Sequence, residues 1–267
     1  MAVTRSSKQA TLIGLVAVLF WSAIVGLIRG VSQSFGATGG AALIYTVASA
    51  LLWLTVGPPR TRALPRIYLL WGSVLFVSYE LCLSLSIGYA NTGRQAIEVG
   101  MVNYLWPSFT MLAAILFNRQ RANWLILPGF LVALLGIASV LGGDQGLDLP
   151  SMAANIQDNP LSYGLAFAGA MIWAGYCTVT SRYAQGKNAV TLFFMLTALA
   201  LWGKYLFTDG ETMVLSMTGA IYLLLAACAM GFGYAAWNIG ILHGNMTVLA
   251  GASYFIPVLS AALAATL

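Results

Sequence analysis

Nine apolar runs, each about as long as a helix that crosses a membrane, fill almost all of this chain. They lie near residues 11–31, 38–57, 67–90, 95–117, 122–142, 161–183, 189–207, 214–242 and 246–267. Crossing about 30 Å of hydrocarbon takes about 20 helical residues, whereas strands of a membrane barrel are shorter and alternate apolar with polar residues. Only 7% of the residues are charged, against about 25% in soluble domains. The sequence therefore predicts an all-α polytopic membrane protein.

A proline motif recurs in two of these runs, 150 positions apart. The copies are Asn103-Tyr104-Leu105-Trp106-Pro107 and Ser253-Tyr254-Phe255-Ile256-Pro257, each followed by an apolar run. Proline inside a helix leaves a backbone carbonyl without its usual donor, and broken helices at matching places in two halves point to the central site of a transporter. We therefore expect Pro107 and Pro257 to act as hinges beside such a site.

A polar stretch rich in Gly, Pro, Asp and Asn separates five runs from four, and Trp21 in the first half aligns with Trp173 in the second. When a repeat has an odd number of helices, two successive copies enter the membrane from opposite sides. This pattern therefore predicts an inverted repeat. We expect residues 1–143 to form a first five-helix repeat, 144–160 a periplasmic linker and 161–267 a second repeat. The expected architecture is a ten-helix 5+5 bundle with helix 10 absent from this chain.

Lys and Arg residues divide unequally between the two sides of the membrane. One side receives nine, namely Arg5, Lys8, Arg60, Arg62, Arg66, Arg119, Arg121, Arg182 and Lys187, and the other receives Arg29, Arg94 and Lys204. The side with fewer cations also carries Asp144, Asp148, Asp158, Asp209 and Glu211. The positive-inside rule then predicts a cytoplasmic N-terminus. Since these cations lie in short, scattered loops, nucleic acid is not expected as a partner.

Two glutamates and one asparagine lie inside apolar runs. Glu80 is in the middle of the third run, where a carboxylate costs about 2.5–3.5 kcal/mol; it is either a substrate-amine or proton site, or a neutral, hydrogen-bonded structural group. Glu98 follows Arg94 by four residues, so a local ion pair is the alternative to a role in the site. Asn103 precedes the first proline and could cap the freed backbone or reach substrate.

Several aromatic residues lie too far from the helix ends for the membrane-interface belt to explain them. Trp173 and Tyr176 share a helix face, as do Tyr234, Trp237 and Asn238 at i, i+3, i+4 spacing. Each could be simple packing, but together they predict a central cavity with aromatic walls, suited to flat solutes and ammonium groups. The candidate substrate-binding residues are Trp21, Tyr79, Glu80, Glu98, Asn103, Tyr104, Trp106, Trp173, Tyr176, Tyr234, Trp237, Asn238 and Tyr254.

The residues around these candidates resemble a known family. Two repeats of five helices resemble the drug/metabolite transporter superfamily, with its EamA-type repeat. The segments SYELCLSLSIGYA (78–90) and QAIEVGMVNYLWP (95–107) are similar to the YddG-type aromatic amino acid exporters of bacterial inner membranes. The resemblance implies a ten-helix bundle whose central cavity is lined by helices 1, 3, 4, 6, 8 and 9, and export of aromatic and other neutral amino acids.

The leading hypothesis is a monomeric secondary transporter of amino acids, surrounded by membrane lipid and working by alternating access. A drug or other metabolite carrier on the same fold, a membrane enzyme using Glu80 or Glu98, and a channel remain alternatives. The chain has no Walker loop, HExxH motif or nucleophile elbow, and no Cys/His cluster with metal spacing, so neither a cofactor, a metal nor enzyme activity is predicted. Proton antiport and uniport are both compatible with the sequence.

Overall fold

In the computed structural model of this protein, residues 6–118, 148–207 and 213–266 are described, together with separate residues of the fifth apolar run between 128 and 139. Most of the 122–142 run lies outside the described residues. Six of the charged residues assigned above to one side of the membrane or the other also lie outside the described residues: Arg5, Arg119, Arg121, Asp144, Asp209 and Glu211. The described part of the chain is helical and contains no strand.

Five α-helices and one 3-10 turn lie within residues 6–118. These are α1 (Ser7–Phe35), α2 (Ala37–Thr55), the 3-10 turn Thr61–Ala63, α3 (Arg66–Gly88), α4 (Gly93–Asn103) and α5 (Trp106–Asn118). Helix α1 begins with a capping box, in which the Ser6 hydroxyl accepts from the Gln9 N–H at 3.3 Å and the Gln9 side chain accepts from the Ser6 N–H at 3.1 Å. Such reciprocal bonds satisfy backbone donors that have no partner within the helix.

The stretch between the halves contains a helix that its composition did not indicate. Helix α6 spans Leu149–Asp158, with Asp148 accepting from the Ser151 N–H at 3.1 Å. Asn159 then caps the next helix by accepting from the Ser162 N–H at 3.2 Å. Side-chain caps explain why two helices can follow each other here with a single residue between them.

Five helices form the described part of the second half. They are α7 (Pro160–Tyr183), α8 (Val190–Leu206), α9 (Met217–His243), α10 (Met246–Ala252) and α11 (Phe255–Thr266).

Both proline-containing runs are broken, as the sequence predicted. Two residues outside regular helix separate α4 from α5, and two separate α10 from α11. Pro107 is the second residue of α5 and Pro257 the third of α11, where a missing N–H is least costly. Across the breaks the N–H groups of Leu105 and Ile256 donate to carbonyls three residues earlier, both at 3.1 Å. Each proline therefore lies in the first turn of a new helical segment.

Five described segments are long and apolar enough to cross a membrane: Ser7–Ile24, Ala37–Thr55, Arg66–Ile87, Arg94–Asn118 and Met217–His243. Val190–Leu206 and Met246–Ser260 are shorter apolar helices. Helix α7 has 24 residues and packs against α3, α4 and α5.

Part of the pattern of helix contacts is preserved when the two halves are exchanged, although the α1–α2 contact has no comparable counterpart between α7 and α8 among the described residues. Let α1, α2, α3 and α4–α5 change places with α7, α8, α9 and α10–α11. The contact of α1 with α9 then becomes that of α7 with α3, and the contact of α2 with α9 becomes that of α8 with α3. Likewise α1 with α11 becomes α7 with α5, and α1 with α10 becomes α7 with α4. All of these contacts are present.

Glycines of α1 and α9 make one of the close approaches. A Cβ added at Gly240 would lie 3.0 Å from the Gly14 Cα and 2.5 Å from a methyl carbon of Leu249. Small residues allow helix backbones to come this close in a membrane protein, and this contact brings Trp21 of α1 beside α9.

Candidate functional site

Four tryptophans from four different helices meet at the centre of the bundle. Trp21 (α1), Trp106 (α5), Trp173 (α7) and Trp237 (α9) place every pair of ring centroids between 5.2 and 6.4 Å apart. We refer to these four residues as the tryptophan cluster. Most of the pairs are tilted or edge-to-face, which is the favoured geometry for aromatic rings.

Three predicted tyrosines surround the tryptophan cluster. Tyr79 lies 4.7 Å from the Trp173 ring, Tyr176 stacks on the same ring at 5.0 Å, and Tyr234 lies 4.9 Å from Trp21. In this structure the shared face of Trp173 and Tyr176 and the shared face of Tyr234 and Trp237 therefore lie against one another.

Phe76 belongs to the same group and was missed in the sequence. Its ring lies 5.2 Å from both Tyr176 and Tyr234, and 6.2 Å from Trp173. Phe76 is one turn before Tyr79 and Glu80 on α3, so the i, i+3, i+4 rule could have found it. Phe193 and Phe194 also contact these rings, but they lie in an ordinary apolar run that gives no signal.

Glu80 lies beside this aromatic group, buried in the interior. The carboxylate is 6% exposed, and its Oε1 accepts a 2.5 Å hydrogen bond from the Tyr234 hydroxyl. The Tyr45 hydroxyl of α2 is buried and has no hydrogen-bond partner among the described residues. Within the described part of the chain, Glu80 takes part in no ion pair.

Polar groups of Asn103 and Asn238 are buried near the same rings. Asn238 Oδ1 accepts from the Tyr176 hydroxyl at 2.7 Å, and its Nδ2 donates to the Tyr234 carbonyl at 3.0 Å. This amide ties α7 to α9. Asn103 is 8% exposed, and its Oδ1 has no hydrogen-bond partner among the described residues. The indole N–H groups of Trp21 and Trp173 are likewise buried without a partner in the described chain.

Tyr104 and Tyr254 lie at the two breaks. Tyr254 and Ser108 share a hydrogen bond between their hydroxyls, which joins the second break to α5. Tyr104 packs both on the large core that includes the tryptophan cluster and on the small group formed by Met111, Ala250 and Tyr254. The two breaks thus contact each other next to the candidate site.

Glu98 occupies a different place from the tryptophan cluster. Its carboxylate accepts from Arg94 Nε at 3.1 Å, from Asn155 Nδ2 at 3.0 and 3.2 Å, and from the Tyr163 hydroxyl at 2.5 Å. The predicted ion pair with Arg94 is therefore confirmed. The Glu98 cluster of these four residues binds α4 to α6 and α7.

A second set of hydrogen bonds lies beside the Glu98 cluster, at the α3–α4 turn. Asp158 accepts from Asn91 Nδ2 at 3.1 Å and from Gln95 Nε2 at 3.0 Å. Asn159 Nδ2 donates to the Tyr89 carbonyl at 2.6 Å. These bonds and the Glu98 cluster join the first half to α6 and to the start of α7 at one end of the bundle.

Comparison with known proteins gives two close matches. The chain is 60% identical over 260 residues to the aromatic amino acid exporter YddG of Escherichia coli, covering 97% of this chain and 89% of that protein. It is 59% identical over 262 residues to the aromatic amino acid exporter YddG of Salmonella typhimurium, covering 98% and 89%. No protein-family profile matches the chain.

A solved protein crystal structure shares the fold. It has a TM-score of 0.79 at 24% sequence identity and covers 98% of this chain and 90% of that chain. Together with the long apolar helices, these matches show a multi-pass membrane protein.

Proposed function

Because this chain belongs to the family of YddG aromatic amino acid exporters, we propose that it is a secondary transporter that carries aromatic and other neutral amino acids out across a bacterial inner membrane. The relatives at 59% and 60% identity are exporters, not enzymes. The substrate is a small molecule, and membrane lipid surrounds the helices.

The tryptophan cluster carries this proposal. Four helices from both halves meet in these rings, and a substrate ring that inserts among them makes stacking contacts of about 0.5–1.5 kcal/mol each, which offset the ring–ring contacts that it displaces. The unpaired indole N–H groups of Trp21 and Trp173 are donors for the polar part of a substrate, since a buried donor without a partner costs about 1–3 kcal/mol. The rings touch one another in this structure, so substrate entry requires them to separate.

The repeat architecture belongs to the same proposal. The part of the contact pattern that is preserved when the halves are exchanged, and the breaks at matching positions, support an inverted 5+5 arrangement. Its parts are the repeat 1–143, the periplasmic linker 144–160, which contains α6, and the repeat 161–267. Trp21 and Trp173, which the repeat aligns, lie 6.2 Å apart in the tryptophan cluster.

Alternating access would use the two broken runs in turn. In the proposed topology, with the N-terminus in the cytoplasm, α4 lies toward the periplasm and is held to α6 and α7 by the Glu98 cluster. Helix α10 lies toward the cytoplasm, where the Asn245 N–H donates to the Thr11 hydroxyl at 2.9 Å. One half-helix would then separate from its contacts and open its side of the membrane. The contacts of the other half-helix would keep the opposite side closed. Both broken runs belong to the same chain, and the proposed transporter is a monomer.

The test is transport by purified protein in liposomes. Labelled phenylalanine should enter by saturable counterflow against unlabelled phenylalanine, and tryptophan and tyrosine should compete. Single substitutions Trp106→Ala and Trp173→Ala should reduce transport several-fold, following about 0.5–1.5 kcal/mol per stacking contact. Trp71→Ala is the matched control, because Trp71 is 52% exposed on α3 and faces away from the bundle.

The outcomes separate the parts of the proposal. Absence of phenylalanine counterflow by the wild-type protein would reject the transport function. Wild-type rates in alanine variants of all four tryptophans would reject the site. Repeating the assay with and without a pH gradient distinguishes proton antiport from uniport.

A further inference from the structure

Glu80 is a buried carboxylate that no basic side chain among the described residues pairs with. It lies in the middle of α3, is 6% exposed, and forms no ion pair among the described residues. Removing a carboxylate from water without a cation or proton is strongly unfavourable. In the described part of the chain the hydrogen-bond donor to Glu80 is the Tyr234 hydroxyl, which can orient the carboxylate but cannot neutralise it.

The position of Glu80 connects it to the tryptophan cluster. The Tyr234 ring, whose hydroxyl donates to Glu80, lies 4.9 Å from the Trp21 ring and 5.5 Å from the Trp173 ring. A single side chain therefore separates the carboxylate from the proposed aromatic site. In an aromatic amino acid, a short carbon link joins the ring to the carbon that bears the α-ammonium group.

We propose that Glu80 binds the α-ammonium group of the substrate, with Tyr234 as the positioning residue that holds the carboxylate toward the tryptophan cluster. This proposal rests on the proposed function, and it names the chemical feature that the site selects. The substrate brings a cation, so binding of a ligand with an ammonium group relieves the cost of the buried charge. The faces of nearby rings add cation–π attraction for the same group.

Three ligands with the same phenyl ring test the assignment. Phenylalanine carries ammonium and carboxylate, phenethylamine carries only the ammonium, and 3-phenylpropionate carries only the carboxylate. Each competes with labelled phenylalanine during counterflow in liposomes. Wild-type protein should be inhibited by phenethylamine at lower concentrations than by 3-phenylpropionate. In Glu80→Gln, inhibition by phenethylamine should weaken roughly tenfold or more, as expected for loss of a charge-assisted hydrogen bond, while inhibition by 3-phenylpropionate should not weaken.

Control variants separate binding from folding. Glu80→Gln keeps the size of the side chain and an oxygen that accepts from Tyr234. Glu80→Asp keeps the charge and should retain the preference for phenethylamine. Asp148→Asn makes the same carboxylate-to-amide change at an exposed helix cap and should leave the order of inhibitors unchanged. Tyr234→Phe should weaken inhibition by phenethylamine less than Glu80→Gln does, because it leaves the charge in place.

The failures are distinct. If the wild-type protein does not carry phenylalanine, the proposed function fails. If the wild-type protein carries phenylalanine but Glu80→Gln retains wild-type inhibition by phenethylamine, the ammonium assignment fails. It also fails if Glu80→Gln loses only the response of transport to a pH gradient. If Glu80→Gln does not fold, loss of the phenethylamine preference in Glu80→Asp, where the charge is kept, overturns the assignment, and its retention supports it.

Discussion

Gly233 of α9 sets the position of the Trp21 ring, and Gly233→Ala should disturb it. The added Cβ would come 2.7 Å from Trp21 Nε1 and 3.0 Å from its Cδ1, well inside the usual carbon contact of about 3.5–4.0 Å. The Trp21 ring cannot easily swing aside, because the other three rings of the tryptophan cluster and Tyr234 surround it. The added Cβ would also lie 3.3 Å from the Phe20 Cβ, so α1 itself resists the shift.

The magnitude follows from comparison with a glycine in open space. Overpacking a well-packed interior costs about 1–3 kcal/mol, whereas replacing glycine by alanine inside a helix gains up to about 1 kcal/mol. Gly26 of α1 has nothing within 4 Å of an added Cβ, so Gly26→Ala should show only the gain. The difference between Gly233→Ala and Gly26→Ala therefore isolates the clash, at about 1–3 kcal/mol.

The assay is thermal unfolding of both variants in the same detergent, followed by phenylalanine counterflow in liposomes. A chain of this size shifts its Tm by roughly 2–4 °C per kcal/mol, so Gly233→Ala should unfold several degrees below Gly26→Ala. Its transport rate should also fall, since Trp21 is moved from its ring contacts. Equal Tm and equal transport in the two variants would refute the contact between Gly233 and Trp21.

Three further predictions concern topology, the breaks and the Glu98 cluster. With the native cysteines replaced, Thr61→Cys should react with an impermeant thiol reagent from the cytoplasmic side and Ala154→Cys from the periplasmic side; the reverse pattern would overturn the orientation. Pro107→Ala restores a backbone donor and should bias the protein toward one facing state, and Pro257→Ala toward the opposite one, as measured by the accessibility of reporter cysteines on each side. Wild-type accessibility and turnover in both would mean that the breaks do not move. Tyr163→Phe removes a donor to a buried carboxylate and should lower the unfolding free energy by about 1.5–3 kcal/mol, so an unchanged Tm would contradict the role of that hydrogen bond.

Local features of the chain were readable from the sequence because they depend on residues close together along it. The two breaks arise from proline and the residues just before it, so they appear within two or three positions of the motif. The pairing of Arg94 with Glu98 needs only i, i+4 spacing on one helix. The shared faces of Trp173 with Tyr176, and of Tyr234 with Trp237 and Asn238, follow from helical geometry in the same way.

Which faces meet is decided by contacts between distant parts of the chain. Tyr234 donates to a carboxylate 154 positions away, and no local pattern predicts that pairing. Phe193 and Phe194 join the central rings only because α8 packs on α2 and α3. The interhelical partners of Glu98, Asn155 and Tyr163, come from α6 and α7, and α6 itself was not evident in the composition of its stretch.

The sequence alone therefore determined that the chain is helical and lies in a membrane, where two runs are broken, and which side chains share a helix face. These properties depend on hydrophobicity, proline chemistry and the helical repeat, all of which act over a few residues. Only the tertiary structure decided that four tryptophans close on one another and that Glu80 lies beside them. Rotation and approach of whole helices set those distances, and they depend on close contacts such as Gly14 with Gly240, between residues far apart in the chain.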